Sequence, residues 1–196
     1  MNNSTSESQA FLQKLRNATA QSHTALEELP VSKSIIKPDV SNQEYITYLT
    51  LMYNVIKDTE ENIYPLIEHI FEDLGERRKS HYLENDIQKL GAKLPESKAP
   101  LTSTGFNATP GFAAGVMYVI EGSTLGGRVI YKNINNTLGH TEENGASYFA
   151  GYGNTTGSHW KKFLEKFTTY TIDNNCETEV MAGADYAFNA IRQHLS

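Results

Sequence analysis

The sequence predicts an all-α, single-domain protein of about six to eight helices. Apolar residues recur at three- and four-residue intervals through most of the chain, while alternating apolar and polar runs, the mark of a half-buried strand, are scarce. Proline and glycine punctuate the periodic segments at lengths that suit helices. The 196 residues fit one domain with a sizeable core, and an apolar content of 39% is ordinary for a soluble protein.

Residues 1–9 read as a flexible polar leader, without the basic head and apolar core of a signal peptide, and residues 10–196 as the helical domain. The first helix is expected from Ser8 to Leu29, with Phe11, Leu15, Ala18, Ser22 and Leu26 along one stripe and Pro30 stopping it. A second starts at Ser41 or Asn42, carries Tyr45, Leu49, Met52 and Ile56 at helical spacing, and continues to Ile63 before Pro65 breaks or kinks it. Short helices follow over Leu66 to Leu74 and Ser80 to Leu90. The stretch from Pro95 to Pro110, with Pro100, Gly105 and Thr109, is the clearest loop. Pro110 then opens a long helix to Leu138, expected to bend or break near Gly126 and Gly127. Glycines 139, 145, 151, 153 and 157 mark an irregular region, after which His159 to Tyr170 and Thr178 to Leu195 close the chain as helices.

Composition excludes several functions. Cys176 is the single cysteine, so an internal disulfide framework, a CxxC redox pair and a thiolate zinc cluster are ruled out. A net charge of -6 disfavours nucleic-acid binding, which needs a basic surface. No run is apolar enough for a membrane span, and the reading is a cytoplasmic protein, monomeric by default. HExxH, a Walker loop, a Rossmann glycine pattern and a GxSxG elbow are all missing, as is the ExxH repeat of a carboxylate di-iron bundle. His69 with Glu72, His81 with Glu84 and His140 with Glu143 share i,i+3 spacing and read as surface polar pairs.

Two segments carry chemistry. His23 and Glu27 are spaced i,i+4, so the carboxylate reaches the nearer imidazole nitrogen and leaves the other facing outward. That is either a metal ligand with the carboxylate that fixes its tautomer or a weak pair on a partly exposed helix face. Arg16 lies two turns earlier on the same side, about 10 Å away by helical rise, where it either holds a carboxylate at the edge of a macrocycle or is solvated. The second segment is Tyr118-Val-Ile-Glu-Gly-Ser-Thr-Leu-Gly-Gly127, with three glycines inside a predicted helix. Gly122 and Gly126 share a face, and each costs a helix interior about 1 kcal/mol relative to alanine. Either a flat ligand lies against that bare face, or a neighbouring helix packs tightly there. Ser123 and Thr124 either bond a ligand or ordered water, or bond back to the preceding turn. Tyr118 either closes the site or packs in the core. Lys161, Lys162 and Lys166 supply positive charge that meets either an anionic ligand or water.

Together, Leu15-Arg-Asn-Ala-Thr-Ala-Gln-Ser-His-Thr-Ala-Leu-Glu27 and Tyr118 to Gly127 resemble the biliverdin-producing heme oxygenases, particularly the bacterial branch. Gly151-Tyr-Gly and Thr156-Gly-Ser-His-Trp160 fit the same branch, and the resemblance covers nearly the whole chain. It implies a helical fold with heme b between a proximal helix and a glycine-containing distal helix. It further implies His23 as the iron ligand, Glu27 as its hydrogen-bonding carboxylate, and Gly122 and Gly126 as the glycines over which heme enters. Arg16, and less firmly Lys161, correspond to partners of the heme propionates. Mammalian-type enzymes carry an aspartate after the first distal glycine, whereas this chain has Ser123, one candidate anchor for the water that delivers protons. The implied reaction opens heme, at once cofactor and substrate, to biliverdin, carbon monoxide and iron, with O2 and electrons from an external reductase or ferredoxin. A non-catalytic heme carrier or sensor is the alternative, and a thiaminase-like helical ligand binder a weaker third.

Overall fold

The computed structural model describes residues 3–102 and 107–196, so Met1 and Asn2 of the leader and Gly105 of the long loop lie outside the described residues. The described chain folds into α1 (Asn3–Glu27), α2 (Pro30–Ser34), α3 (Asn42–Asp58), α4 (Tyr64–Ile67), α5 (Leu74–Arg77), α6 (Ser80–Lys89), α7 (Pro110–Leu138), α8 (Ser147–Ala150), α9 (Thr156–Asp173) and α10 (Glu177–Leu195). The only pairing of β type among these residues is a pair of isolated bridges at Thr141. The expected all-α fold is what forms.

Local chemistry explains most boundaries. Ser41 caps α3 in a full capping box, its hydroxyl accepting from the Glu44 amide and its own amide donating to the Glu44 carboxylate. Thr109 caps α7 with Pro110 in the first turn, and Gly139 ends it in the left-handed conformation. Several expectations need correcting. Helix α1 begins at Asn3, so most of the stretch read as a leader is helical, and its buried stripe runs through Thr19 rather than the exposed Ala18. The first helix ends before Pro30 as expected, and Pro30 itself opens the short α2. Pro65 does not stop the second helix, because a π-turn over Thr59–Ile63 widens the backbone just before it and the chain continues into α4. The expected helix over Leu66 to Leu74 is mostly turn. Helix α7 runs unbroken through Gly126 and Gly127.

Helix α9 carries an aromatic ladder that ties the layers together. Trp160, Phe163 and Phe167 stack in sequence, with centroids 5.5 and 5.4 Å apart. Phe71 stacks on Phe163 at 5.0 Å, while Phe11 of α1 and Tyr118 of α7 both meet Phe167. Such pairs prefer offset or tilted rings at these separations.

Two devices hold α7. At its start it crosses α10 so closely that a Cβ at Gly115 would strike the Val180 carbonyl and the Ala184 amide, and one at Gly183 would strike the Phe112 backbone. Further along, the buried Glu121 carboxylate receives Arg77 Nη1 at 2.5 Å and Lys79 Nζ at 3.2 Å, with the Tyr152 hydroxyl 3.1 Å from one oxygen. Arg77 also reaches Asp73 at 2.9 Å, and Lys79 also donates to Tyr152 at 2.6 Å and to the Arg77 carbonyl. Burial lowers the Lys79 pKa, against the pull of Glu121. Burial would raise the Asp73 carboxyl, but Arg77 and Lys162 overcome it and hold the group at about 2.

Gly183→Ala is expected to destabilise the protein by about 1–3 kcal/mol in urea unfolding, because overpacking against backbone outweighs alanine's helix preference; a variant as stable as the parent would contradict the crossing. Because Asp73 titrates below its ordinary 3.8, its contribution is complete above that value and is lost as pH falls through about 2. Thermal melts should therefore show Asp73→Asn less stable at neutral pH, with a shallower decline between about pH 4 and 2. Equal acid slopes in the two proteins would count against the pairing.

Candidate active site between the first and seventh helices

Helix α10 packs against both α1 and α7. On the α1 side, Ser22 donates to Asp185 at 2.5 Å, and the His23 ring meets Phe188 edge-on with centroids 5.4 Å apart. His23 Nδ1 lies 3.4 Å from Glu27 Oε2, as the i,i+4 spacing predicts. The imidazole is 53% exposed, and no hydrogen bond reaches Nε2 from the described residues. One ring nitrogen thus faces the carboxylate and the other is open. The packing against Phe188 fixes the plane that the carboxylate alone would leave free to turn.

Helices α1 and α7 meet at Arg16 and Tyr118. Burial pushes the Tyr118 phenol up, and the nearby Arg16 guanidinium pulls the other way. Tyr118 also packs on Trp160 and Phe167. One turn on from Tyr118, the α7 surface is apolar and bare. Gly122, Leu125, Gly126 and Val129 share one face, and Leu125 and Val129 are 43% and 66% exposed. The glycines here do not serve helix packing. A Cβ at Gly126 would meet nothing within 4 Å, and one at Gly122 would meet only the Trp160 ring at an ordinary 3.6 Å. Tight packing is instead the work of Gly115 and Gly183, which the sequence reading did not single out.

Ser123 and Thr124 bond back to the preceding turn, donating to the Ile120 and Glu121 carbonyls at 2.7 Å. Their lone pairs remain available. Both line a cavity of about 50 Å³ with Tyr48, Lys79, Tyr148 and Gly127. Roughly 10–15 Å³ of such space admits one water. Burial pushes the Tyr148 phenol up, with Ser123 pulling it the other way, and burial alone pushes the Tyr48 phenol up to about 12. Of the three lysines considered, Lys162 pairs with Asp73 at 3.4 Å and Lys166 with Glu72 at 3.6 Å. Lys161 is exposed and makes no ion pair among the described residues.

The structure thus joins His23 to Glu27, Arg16 to Tyr118, and Gly122 to Trp160, while Lys161 stands apart from these contacts. The three i,i+3 histidine pairs form no metal centre among the described residues. His140 turns to Asn42 at 2.6 Å and stacks on Tyr45 instead of meeting Glu143. Sequence reasoning missed Glu121 and its partners Arg77 and Lys79. The signal was a charged residue on the inward flank of an otherwise apolar helix. Tyr148 was also missed, since it comes from the four-residue α8, and Trp160, quoted only as part of a motif, was not placed against α7.

No helix among the described residues is long and apolar enough to cross a membrane. The heme oxygenase family model matches residues 9–196, and no curated protein matches the chain. The fold is similar to the NO- and CO-bound heme oxygenase of Neisseria meningitidis, at 23% identity over 94% of this chain and 92% of that one, with a TM-score of 0.76. It is similar also to a heme oxygenase from Leptospira interrogans, at 18% identity, 95% and 98% coverage and a TM-score of 0.77. The heme complex of heme oxygenase-1 from the cyanobacterium Synechocystis aligns at 20% identity, 94% and 90% coverage and a TM-score of 0.71. The match over nearly the whole length, with the paired His23 and the bare glycine face in one fold, means that the chain belongs to the heme oxygenase family.

Proposed function

We propose that this protein opens heme to biliverdin, carbon monoxide and iron, using O2 and electrons from an external reductase or ferredoxin. The observation that carries the reading is the bare stripe on α7: Gly122 and Gly126 weaken their helix and no neighbouring backbone requires them, so the close approach they permit is to a ligand. A flat, largely apolar macrocycle with an anionic edge suits a face of Gly122, Leu125, Gly126 and Val129 that has Arg16 and Tyr118 at one end.

His23 Nε2 is the nitrogen available to iron, and Glu27 on Nδ1 keeps the ring in the tautomer that leaves Nε2 free to ligate. Arg16 and Tyr118 hold the propionates, with Lys161, uncommitted to any carboxylate, as a further partner. Heme, as the substrate, supplies the iron at which oxygen is activated. The Gly122 and Gly126 backbone brings an unsubstituted wall against the opposite face, and Leu125 and Val129 exclude water from its edge. Ser123, Tyr148 and Tyr48 line the cavity in which ordered water is held for proton delivery, a role for which this chain has no aspartate at position 123. That serine, with Gly151-Tyr-Gly and Thr156-Gly-Ser-His-Trp160, favours the bacterial branch. A monomeric, cytoplasmic protein is part of this reading.

His23→Ala should abolish the imidazole-ligated spectrum of added hemin, and Glu27→Ala should lower hemin affinity or turnover about 10–100-fold. An unchanged spectrum for His23→Ala would refute this ligand. Gly126→Ala should behave in two opposite ways: the ligand-free protein becomes more stable by up to about 1 kcal/mol, since the added methyl meets nothing, while hemin turnover falls. A destabilised ligand-free variant would return Gly126 to a packing role.

A further inference from the structure

Helix α7 is fastened at one point beside its bare stripe. The donors to Glu121 come from the 77–79 stretch and from Tyr152, none of them on α7, so the cluster acts as a bolt driven in from outside the helix. From the other side the Trp160 ring of α9 lies 3.6 Å from the position of a Cβ on Gly122. One turn further, Gly126 has no such neighbour. Lys162 of α9 reaches Asp73, which pairs with Arg77, so the bolt and the Trp160 contact are joined through one network. Stability alone does not call for this arrangement, because a buried carboxylate between buried cations is often matched by apolar residues of equal volume. Charge-assisted, directional bonds define a position instead.

We propose that Glu121 is a positioning residue: its bonds to Arg77, Lys79 and Tyr152 set the height and rotation of the Gly122 backbone, and thereby which edge of the heme ring is opened. The proposal rests on the heme-opening reading of the site. It concerns how a neighbouring buried anion governs that site without touching the substrate.

Glu121→Gln keeps the side chain's size but exchanges one acceptor oxygen for an amide group that cannot accept from Arg77 or Lys79. Trp160 is the only tryptophan, so emission of the ligand-free protein reports on the surroundings of Gly122. Glu121→Gln is expected to shift that emission and increase its quenching by acrylamide. With hemin, a reductant and oxygen, turnover should fall about 10–100-fold, and the biliverdin isomer ratio should change from that of the parent. Should this variant not fold, Glu121→Gln with Lys79→Met removes one buried cation along with the anion and carries the same test. An unchanged isomer ratio in a folded variant overturns the proposal, even if Trp160 responds, because the cluster then only supports the fold. If the parent protein binds no hemin, the heme reading fails, and Trp160 emission alone then decides whether the bolt fixes Gly122.

Discussion

Helix α7 must leave its backbone bare at Gly122 and Gly126 and still keep its place without side chains there to hold it. Each glycine weakens the helix by about 1 kcal/mol, and an exposed apolar face gives nothing to pack against. The fixing is therefore done elsewhere along the helix. The Gly115 and Gly183 crossing seats the first turns directly on α10, backbone against backbone. Buried charge at Glu121 then fastens the helix immediately before the bare stretch. Close packing and ion pairing thus both come before a segment that has neither.

The surroundings of His23 follow a different logic. His23 is half exposed and rests on Phe188, with its orientation supplied by a single carboxylate one turn away. A weak exposed pair contributes little to stability. Its value lies in leaving one imidazole nitrogen open while the other is engaged. Helix α10 supports both sides, through Asp185 and Phe188 on one and Val180 and Ala184 on the other, so a change in α10 packing moves the His23 ring and the glycine face together.

Much of this was legible in the sequence because it depends on local spacing. His23 and Glu27 meet because residues four apart share a helix face, and α7 begins and ends where its proline and glycine say it should. What was not legible depends on distant chain. The Glu121 cluster joins residues 42 to 44 positions apart, and nothing in a helical period announces that Arg77 and Lys79 arrive beside it. The same holds for the glycines: Gly122 and Gly126 drew notice through their clustering, whereas Gly115 and Gly183, isolated in separate helices, make the tight crossing. Pro65 misled because its cost as a helix interior residue is relieved by a π-turn whose formation has no clear residue signature. Ala18 and Thr19 differ by one step of a helical wheel, within the error of any stripe drawn without its packing partner.

The central claim is that α1 and α7 enclose a heme that the protein destroys. The most direct test is to follow the visible spectrum of the purified protein with one equivalent of hemin, then add a reductant and oxygen in the presence of an iron chelator, with carbon monoxide measured in parallel. The account predicts an imidazole-ligated heme band that decays as a bilin absorption and carbon monoxide appear together. A heme band that persists with a competent electron donor would contradict it and make the protein a carrier or sensor.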